Sequence, residues 1–167
     1  MFIRRKKITF ICSKRGSLSQ MAAAFLNRLC GSAFEAHSAS VEPGEPSSDV
    51  VEAMRESGLD ISGKETTAAS GAFKSGQSFD LVITLCDEIK SQCDPIVPAT
   101  SARLHWSFRD PSEFQGSDEY KLNRTRDVRD SLKAAIEAWC ARVCPASAAY
   151  EIMFKPFYSQ KLNEPAS

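Results

Sequence analysis

The sequence predicts an α/β domain, a three-layer sandwich in which a four-stranded parallel sheet carries helices on both faces. Short apolar, β-branched runs alternate with longer segments of helical periodicity, beginning with strand, loop and helix. The run at residues 80–86 is almost continuously apolar, as is typical of strands that are buried on both faces. At 167 residues the chain is long enough for one domain to bury a core.

Each element is predicted by its periodicity and by the residues that end it. Met21, Phe25 and Leu29 share one face of the first helix, and Gly31 is a natural end for it. The predicted elements are, in order, a strand at residues 8–12, that first helix, a strand at 34–40, a helix at 48–56, strands at 80–86 and 103–107, and a helix at 118–142.

The hydrophobic periodicity that predicts helices and strands weakens after Pro145. We therefore expect a domain at residues 1–144 and a tail at residues 145–167. Aromatic side chains would anchor this tail to the domain surface; they are Tyr150, Phe154, Phe157 and Tyr158.

Composition excludes several classes of protein. The formal net charge is zero, so no overall basic field is present to attract nucleic acid or an anionic membrane. The basic residues near the start precede an apolar run too short for a secretory signal, and no run approaches the length of a membrane span. We expect a cytoplasmic protein whose thiols are reduced unless they do chemistry.

The loop that follows the first strand has the composition of an anion-binding loop. It begins at Cys12 and contains Ser13, Lys14, Arg15, Gly16, Ser17, Leu18 and Ser19. Backbone N–H groups and the positive end of the helix would converge there, lower the pKa of the cysteine and favour a nucleophilic thiolate, to which Ser19 could donate a hydrogen bond. The alternative is a buried cysteine at the end of a strand, followed by a basic turn.

Six cysteines and two histidines limit the possible metal chemistry. No C-x-x-C pair is present, so we expect neither a metal site nor a bound cofactor. Cys30 is expected in the core. Cys140 and Cys144 share a helix face and are expected to serve packing or to be exposed; the alternative is a soft-metal site or oxidation.

Several motifs together resemble the low-molecular-weight tyrosine phosphatases and, in particular, the thioredoxin-coupled arsenate reductases. The resemblance extends from about residue 8 to residue 141. It is carried by Cys12, residues 19–22, 37–40, 54–62 and 80–86, Cys93, His105-Trp106, Phe108, Asp110-Pro111 and residues 126–130. It implies the fold predicted above, with the active site at the carboxyl ends of the strands.

The resemblance also implies roles for three cysteines and one aspartate. Cys12 would be the nucleophile on an oxyanion, and Asp110 would be the general acid of a phosphatase. In a reductase, Cys86 would attack the Cys12–arsenic adduct, and Cys93 would then form a Cys86–Cys93 disulfide that thioredoxin reduces. The polar segment between Cys86 and Cys93 would be a short, marginal helix that moves easily.

The chain departs from the family at the anion loop. The family has arginine six residues after the cysteine, and here Leu18 stands in its place. The lost contacts of a bidentate guanidinium would cost a factor of about 10² to 10⁴ in rate. Arg15 replaces a bracing asparagine and would serve the anion if its side chain folds inward; the alternative is that Lys14 and Arg15 are solvated surface charges. Ala23 makes the family's potassium site doubtful, although Ser38 and Asp60 match its other positions.

Three functional hypotheses remain open from the sequence. The first is a thioredoxin-dependent arsenate reductase, favoured by Cys86 and Cys93. The second is a phosphatase that acts on a phosphoprotein, favoured by Cys12 and Asp110. The third is a catalytically disarmed member that binds an anion or a protein through the loop, favoured by Leu18.

Overall fold

The computed structural model describes residues 4–74, 77–98, 100–143 and 147–154. Its sheet has five parallel strands in the order β3-β2-β1-β4-β5. The predicted parallel α/β fold is confirmed. The fifth strand, which has only two residues, was not predicted because so short a segment shows no periodicity. The strands are β1 (Lys6–Lys14), β2 (Phe34–Glu42), β3 (Thr67–Ala68), β4 (Leu81–Thr84) and β5 (Ala102–His105).

Helices connect the strands and follow them. Short 3₁₀ turns at Asp87–Ile89 and Pro111–Glu113 precede α4 and α5. The helices are α1 (Ser17–Cys30), α2 (Ser48–Glu56), α3 (Ala69–Ala72), α4 (Lys90–Cys93), α5 (Asp118–Arg142) and α6 (Ala148–Phe154).

One face of the sheet is covered by aromatic packing against α5. The ring of Phe34 in β2 lies 4.9 Å from that of Trp139 in α5. Trp106 lies 6.1 Å from Phe10 in β1 and 6.4 Å from Trp139. This layer packs α5 against β1, the central strand, which carries Cys12 near its carboxyl end.

The other face is covered by the segment around α3. His37 projects from β2 on the side opposite to Phe34, because alternate residues of a strand face opposite ways. Its ring lies 5.5 Å from that of Phe79, which in turn lies 5.6 Å from Phe73. The sheet is therefore the middle layer of a sandwich.

Part of the predicted tail forms α6 and packs onto the domain. Tyr150 and Phe154 lie 6.1 and 6.0 Å from Phe34, ring centre to ring centre. The expectation that these two rings are anchors is confirmed. Phe157 and Tyr158 lie outside the described residues.

Cys30 and Cys140 form a disulfide, which corrects the expectation that Cys30 is a core thiol and that Cys140 serves packing or is exposed. The bond joins the last residue of α1 to α5, with the two Cα atoms 6.4 Å apart. The partners are separated by 110 residues in sequence, so no local pattern indicated the pair. Cys144 lies outside the described residues.

Among the helices in the described ranges, none combines the length and the apolar character that crossing a bilayer requires.

Candidate active site at the carboxyl ends of the strands

A tight turn joins β1 to α1 and forms the anion loop. Arg15 and Gly16 both have positive φ, 52° and 68°. A Cβ atom on Gly16 would collide with the side chain of Thr66, so glycine is required there by space as well as by conformation. The turn directs the first N–H groups of α1 back toward the end of β1.

The thiol of Cys12 lies at the focus of this turn and is 0% exposed. The backbone N–H groups of Leu18 and Ser19 donate hydrogen bonds to its sulfur. The thiol donates to Oγ of Ser19 at 3.2 Å, and that hydroxyl donates to the carbonyl of Gly16 at 3.3 Å. The contact between Cys12 and Ser19 was expected, but the thiol is its donor.

The pKa of Cys12 is raised to about 11, which corrects the expectation that the loop lowers it. Burial is the largest cause, because a thiolate without water around it is poorly solvated. The hydrogen bonds from Ser19 and Leu18 lower the pKa and the charge of Asp110 raises it, but burial outweighs them. In this state Cys12 is a neutral thiol at pH 7.

The side chain of Leu18 occupies the core beside Cys12 and is 0% exposed. Arg15 does not take the place of the missing arginine: of the two possibilities left open by the sequence, the structure shows the solvated surface charge and not the inward fold. Its side chain is exposed and packs against Gly44, while its N–H donates to the carbonyl of Glu42 at 2.9 Å. A left-handed backbone at Arg15 directs the side chain outward.

Two cations nevertheless lie at the mouth of the loop. Lys14 and Arg15 line an open cleft of about 570 Å³ together with Ser17, the first residue of α1. Oγ of Ser17 is buried and has no hydrogen-bond partner among the described residues. The cleft also reaches the 3₁₀ turn that follows Asp110; the other lining residues are Ser47, Asp49, Pro111, Ser112, Glu113, Phe114, Gln115 and Lys121.

The structure places Asp110 next to the loop, as the sequence predicted. Its carboxylate is buried and accepts a hydrogen bond from the hydroxyl of Ser13 at 3.0 Å. It also accepts from the N–H of Ser112 at 2.9 Å and so caps the 3₁₀ turn.

Cys86 lies beside Cys12 at the end of the neighbouring strand. The backbone N–H of Ser13 donates to the sulfur of Cys86, and the two cysteines interact electrostatically. Burial raises the pKa of Cys86 to about 12, with smaller contributions from Cys12 and Asp110. Two of the three predicted relay thiols are therefore neighbours.

Cys93 ends α4 and is 1% exposed. Burial raises its pKa to about 11, and the charged groups that also shift this pKa are Asp94 and Arg103. The predicted short helix is confirmed: a 3₁₀ turn and four helical residues, Lys90–Cys93, connect Cys86 to Cys93. Cys12, Cys86 and Cys93 are all free thiols.

A hydrogen-bond network centred on His105 lies beside Cys86 and was not predicted from the sequence. His105, the last residue of β5, contacts Oδ1 of Asp87 through Nε2 at 2.7 Å and Oγ1 of Thr84 through Nδ1 at 2.6 Å. The hydroxyl of Ser107 donates to Oδ2 of Asp87 at 2.9 Å. The only sequence signal was a histidine in a chain that has two.

A second missed contact lies at the Cys93 end of the same segment. The guanidinium of Arg103 in β5 contacts Oδ1 of Asp94 at 3.1 Å. It also donates to the carbonyl oxygens of Asp94 at 3.2 Å and Val97 at 2.6 Å.

No metal-binding cluster is found within the described ranges, since no three His, Cys, Asp or Glu side chains are grouped to hold an ion. Ala23 and Ser38 line a cavity of about 360 Å³ near the edge of the sheet. Oδ1 of Asp60, the third residue of the family's potassium site, accepts hydrogen bonds from the N–H and hydroxyl of Ser62 at 2.9 and 2.6 Å.

Residues 7–148 match the family described as low molecular weight phosphotyrosine protein phosphatase, and the chain belongs to this family. Its relatives include proteins named arsenate reductase. That of Halalkalibacterium halodurans is 34% identical over 137 residues, 82% of this chain and 96% of that protein. That of Bacillus subtilis is 32% identical over 130 residues, 78% and 91% of the two chains.

Solved structures similar to this chain include an arsenate reductase and a tyrosine phosphatase. An arsenate reductase in its reduced state has a TM-score of 0.63 at 25% identity and covers 83% of this chain and 99% of its own. The tyrosine phosphatase Wzb of Escherichia coli K30, solved with sulphate, has a TM-score of 0.66 at 19% identity and covers 84% and 100% of the two chains. The second likeness concerns the fold alone.

Proposed function

We propose that this protein is an arsenate reductase that passes electrons through Cys12, Cys86 and Cys93 and is recycled by thioredoxin. The observation that carries the proposal is the arrangement of the three free thiols. Cys12 and Cys86 lie together at the ends of adjacent strands, and Cys93 lies at the far end of a short helix. The relatives named arsenate reductase support the same assignment.

The first step forms a bond between sulfur and arsenic. The Cys12 thiolate attacks arsenate, one arsenic oxygen leaves as water after protonation, and arsenic remains pentavalent. The N–H groups of Leu18 and Ser19, which donate to the sulfur of Cys12, are placed to stabilise negative charge there. Lys14 and Arg15 at the cleft attract the anion through their fields.

The second step transfers two electrons. The Cys86 thiolate attacks the sulfur of Cys12, and the electron pair of the sulfur–arsenic bond moves to arsenic, which leaves as arsenite. A Cys12–Cys86 disulfide remains. Cys93 then attacks the sulfur of Cys86, which frees Cys12, and the two thiols of thioredoxin reduce the Cys86–Cys93 disulfide.

The assay is arsenate-dependent NADPH oxidation in the presence of thioredoxin and thioredoxin reductase. We expect Cys12→Ser, Cys86→Ser and Cys93→Ser each to abolish it. Cys144→Ser is the control, because it removes a cysteine that has no part in the proposed relay. The proposal would be contradicted if the parent and Cys12→Ser oxidised NADPH at the same arsenate-dependent rate. It would also be contradicted if the folded, reduced parent showed no arsenate-dependent oxidation.

One observation favours a second function, the binding of an oxyanion or phosphoprotein without turnover. Leu18 and Cys12 are both fully buried, and the raised pKa of Cys12 leaves its thiol neutral at pH 7. A protein of this kind would bind arsenate or phosphate with equal affinity in the parent and in Cys12→Ser, and neither protein would consume NADPH.

A further inference from the structure

Two side chains of β5 hold opposite ends of the relay segment, which we define as residues 86–94. His105 holds Asp87 at the Cys86 end. Arg103 holds Asp94 at the Cys93 end. The two holding residues are two positions apart on one strand and so project to the same side of the sheet.

We infer that β5 clamps the relay segment asymmetrically: Arg103 is a latch that opens to let Cys93 reach Cys86, and His105 is a fixed anchor beside Cys86. Both are positioning residues. The inference rests on the proposed function, which supplies the reason for Cys93 to move.

Movement of Cys93 is required by the length of the segment. The 3₁₀ turn and the four α-helical residues between Cys86 and Cys93 separate the two Cα atoms by about 12 Å along the segment. A disulfide needs Cα atoms about 4.4–6.8 Å apart. Cys93, which is buried in this state, must therefore leave its position, and the helix that carries it must unwind or bend.

The end held by Arg103 is the one built to open. Exposure does not separate the two ends, because the side chains of Asp94 and Asp87 are 61% and 74% exposed, and an exposed ion pair contributes little to stability. The two ends differ instead in the elements that each set of contacts joins. The remaining bonds of Arg103 go to carbonyl oxygens of the loop that follows α4, at Asp94 and Val97. Water can replace each of these contacts as the loop moves away.

The end held by His105 is tied to two strands. Both ring nitrogens have partners, Asp87 and Thr84, and Thr84 is the last residue of β4. The second oxygen of Asp87 is held by Ser107. Releasing this end would displace Cys86, the residue that must stay near Cys12.

The test follows closure of the Cys86–Cys93 disulfide in a Cys12→Ser/Cys144→Ser background, oxidised by the azo compound diamide. One thiolate adds to the N=N bond, and the second attacks the resulting sulfur–nitrogen adduct. A disulfide and a hydrazine form, so two electrons and two protons pass to diamide. Samples are quenched with N-ethylmaleimide over time, and peptide masses give the closed fraction.

Removing either partner of the latch is expected to accelerate closure. We expect Arg103→Met and Asp94→Asn each to raise the rate about threefold or more, as loss of a surface pair with its accompanying contacts predicts. We expect His105→Ala to give no acceleration. Arg124→Met is the matched control, because it removes an arginine paired with Asp127 on α5.

The two latch variants also separate release from an effect of charge. Asp94 raises the pKa of Cys93 and Arg103 lowers it. A purely electrostatic effect would therefore shift the rates of Arg103→Met and Asp94→Asn in opposite directions, whereas release of the latch shifts both upward. Asp94→Asn changes one exposed side chain, so its result stands if Arg103→Met fails to fold.

Opposite shifts, unchanged rates in both variants, or equal acceleration by His105→Ala would overturn the asymmetric clamp. These outcomes are distinct from failure of the proposed function, since closure by diamide uses neither arsenate nor Cys12. If the disulfide closes faster in the latch variants but the parent protein does not reduce arsenate, the asymmetric clamp is supported and the proposed reductase function is contradicted.

Discussion

The thiol of Cys12 donates a hydrogen bond to the hydroxyl of Ser19, 3.2 Å away. Because burial raises the pKa of Cys12 to about 11, the thiol is neutral at pH 7 and is the donor of this bond. For Cys12 to become a thiolate, the hydroxyl must turn from the carbonyl of Gly16 and donate to sulfur instead. Ser19 therefore couples the charge of the nucleophile to the conformation of the loop.

The reactivity of Cys12 is expected to rise with pH well beyond neutrality. Its pKa is about 11, so the thiolate fraction, and with it the rate of alkylation by iodoacetamide, rises about tenfold for each pH unit between 7 and 10. Ser19→Ala removes a contact that lowers the pKa and should slow alkylation further at each pH. A Cys86→Ser/Cys93→Ser/Cys144→Ser background leaves Cys12 as the one cysteine outside the Cys30–Cys140 disulfide. A rate that levels off below pH 8 would contradict the prediction.

Leu18→Arg is expected to raise the hydrolysis of p-nitrophenyl phosphate. Cys12 and Asp110 are already in place, and a bidentate guanidinium would stabilise the transition state by about 10²-fold in rate or more. Because the side chain of Leu18 is fully buried, we also expect a lower melting temperature. Leu18→Lys is the control, because it adds a positive charge without the bidentate geometry of a guanidinium. Its rate of p-nitrophenyl phosphate hydrolysis should rise less. No gain from the arginine in a folded variant would mean that the loop does not hold a catalytic geometry.

The carboxylate of Glu56 links α2 to α5 and is expected to stabilise the fold in a pH-dependent way. Arg126 and Arg129 bind it at 2.6 and 2.7 Å and hold its pKa at about 2, below the ordinary value of 4.5. Because the folded-state pKa is the lower one, the stabilisation is present above pH 4.5 and is lost as pH falls toward 2. Glu56→Gln should lower the melting temperature at pH 7, and its difference from the parent should shrink on acidification.

Glu52→Gln is the control for this experiment. It removes an exposed acid that pairs with Arg55 within α2 and does not bridge two helices. If Glu52→Gln lowered the melting temperature as much as Glu56→Gln, the ion pairs of Glu56 with Arg126 and Arg129 would have no specific role in stability.

The Cys30–Cys140 disulfide is expected to stabilise the packing of α1 on α5. It closes a loop of 110 residues, for which restriction of the unfolded chain predicts about 5 kcal/mol. Cys140→Ser should therefore lower the free energy of unfolding measured with urea. Dithiothreitol should bring the parent to the level of the variant and leave the variant unchanged. Equal stabilities without reductant would show that the bond does not form in solution.

Local signals predicted the main elements and the position of the site. Strand, loop and helix around Cys12 follow from short-range periodicity, and parallel strands bring Cys86 to the same edge of the sheet. The pKa of Cys12 was predicted in the wrong direction, because it depends on burial by residues such as Leu18 and not on the loop alone. Contacts of Arg103 and His105 across the sheet depend on register, which no local pattern reports.

The most direct test of the relay is a single turnover of Cys93→Ser with one equivalent of arsenate. This variant keeps the two neighbouring thiols and has lost the one that resolves their disulfide. We expect one equivalent of arsenite to form. We also expect a Cys12–Cys86 disulfide that persists and can be identified by peptide mass. Free thiols at both positions and unchanged arsenate, with the variant folded and reduced at the start, would contradict the proposed relay.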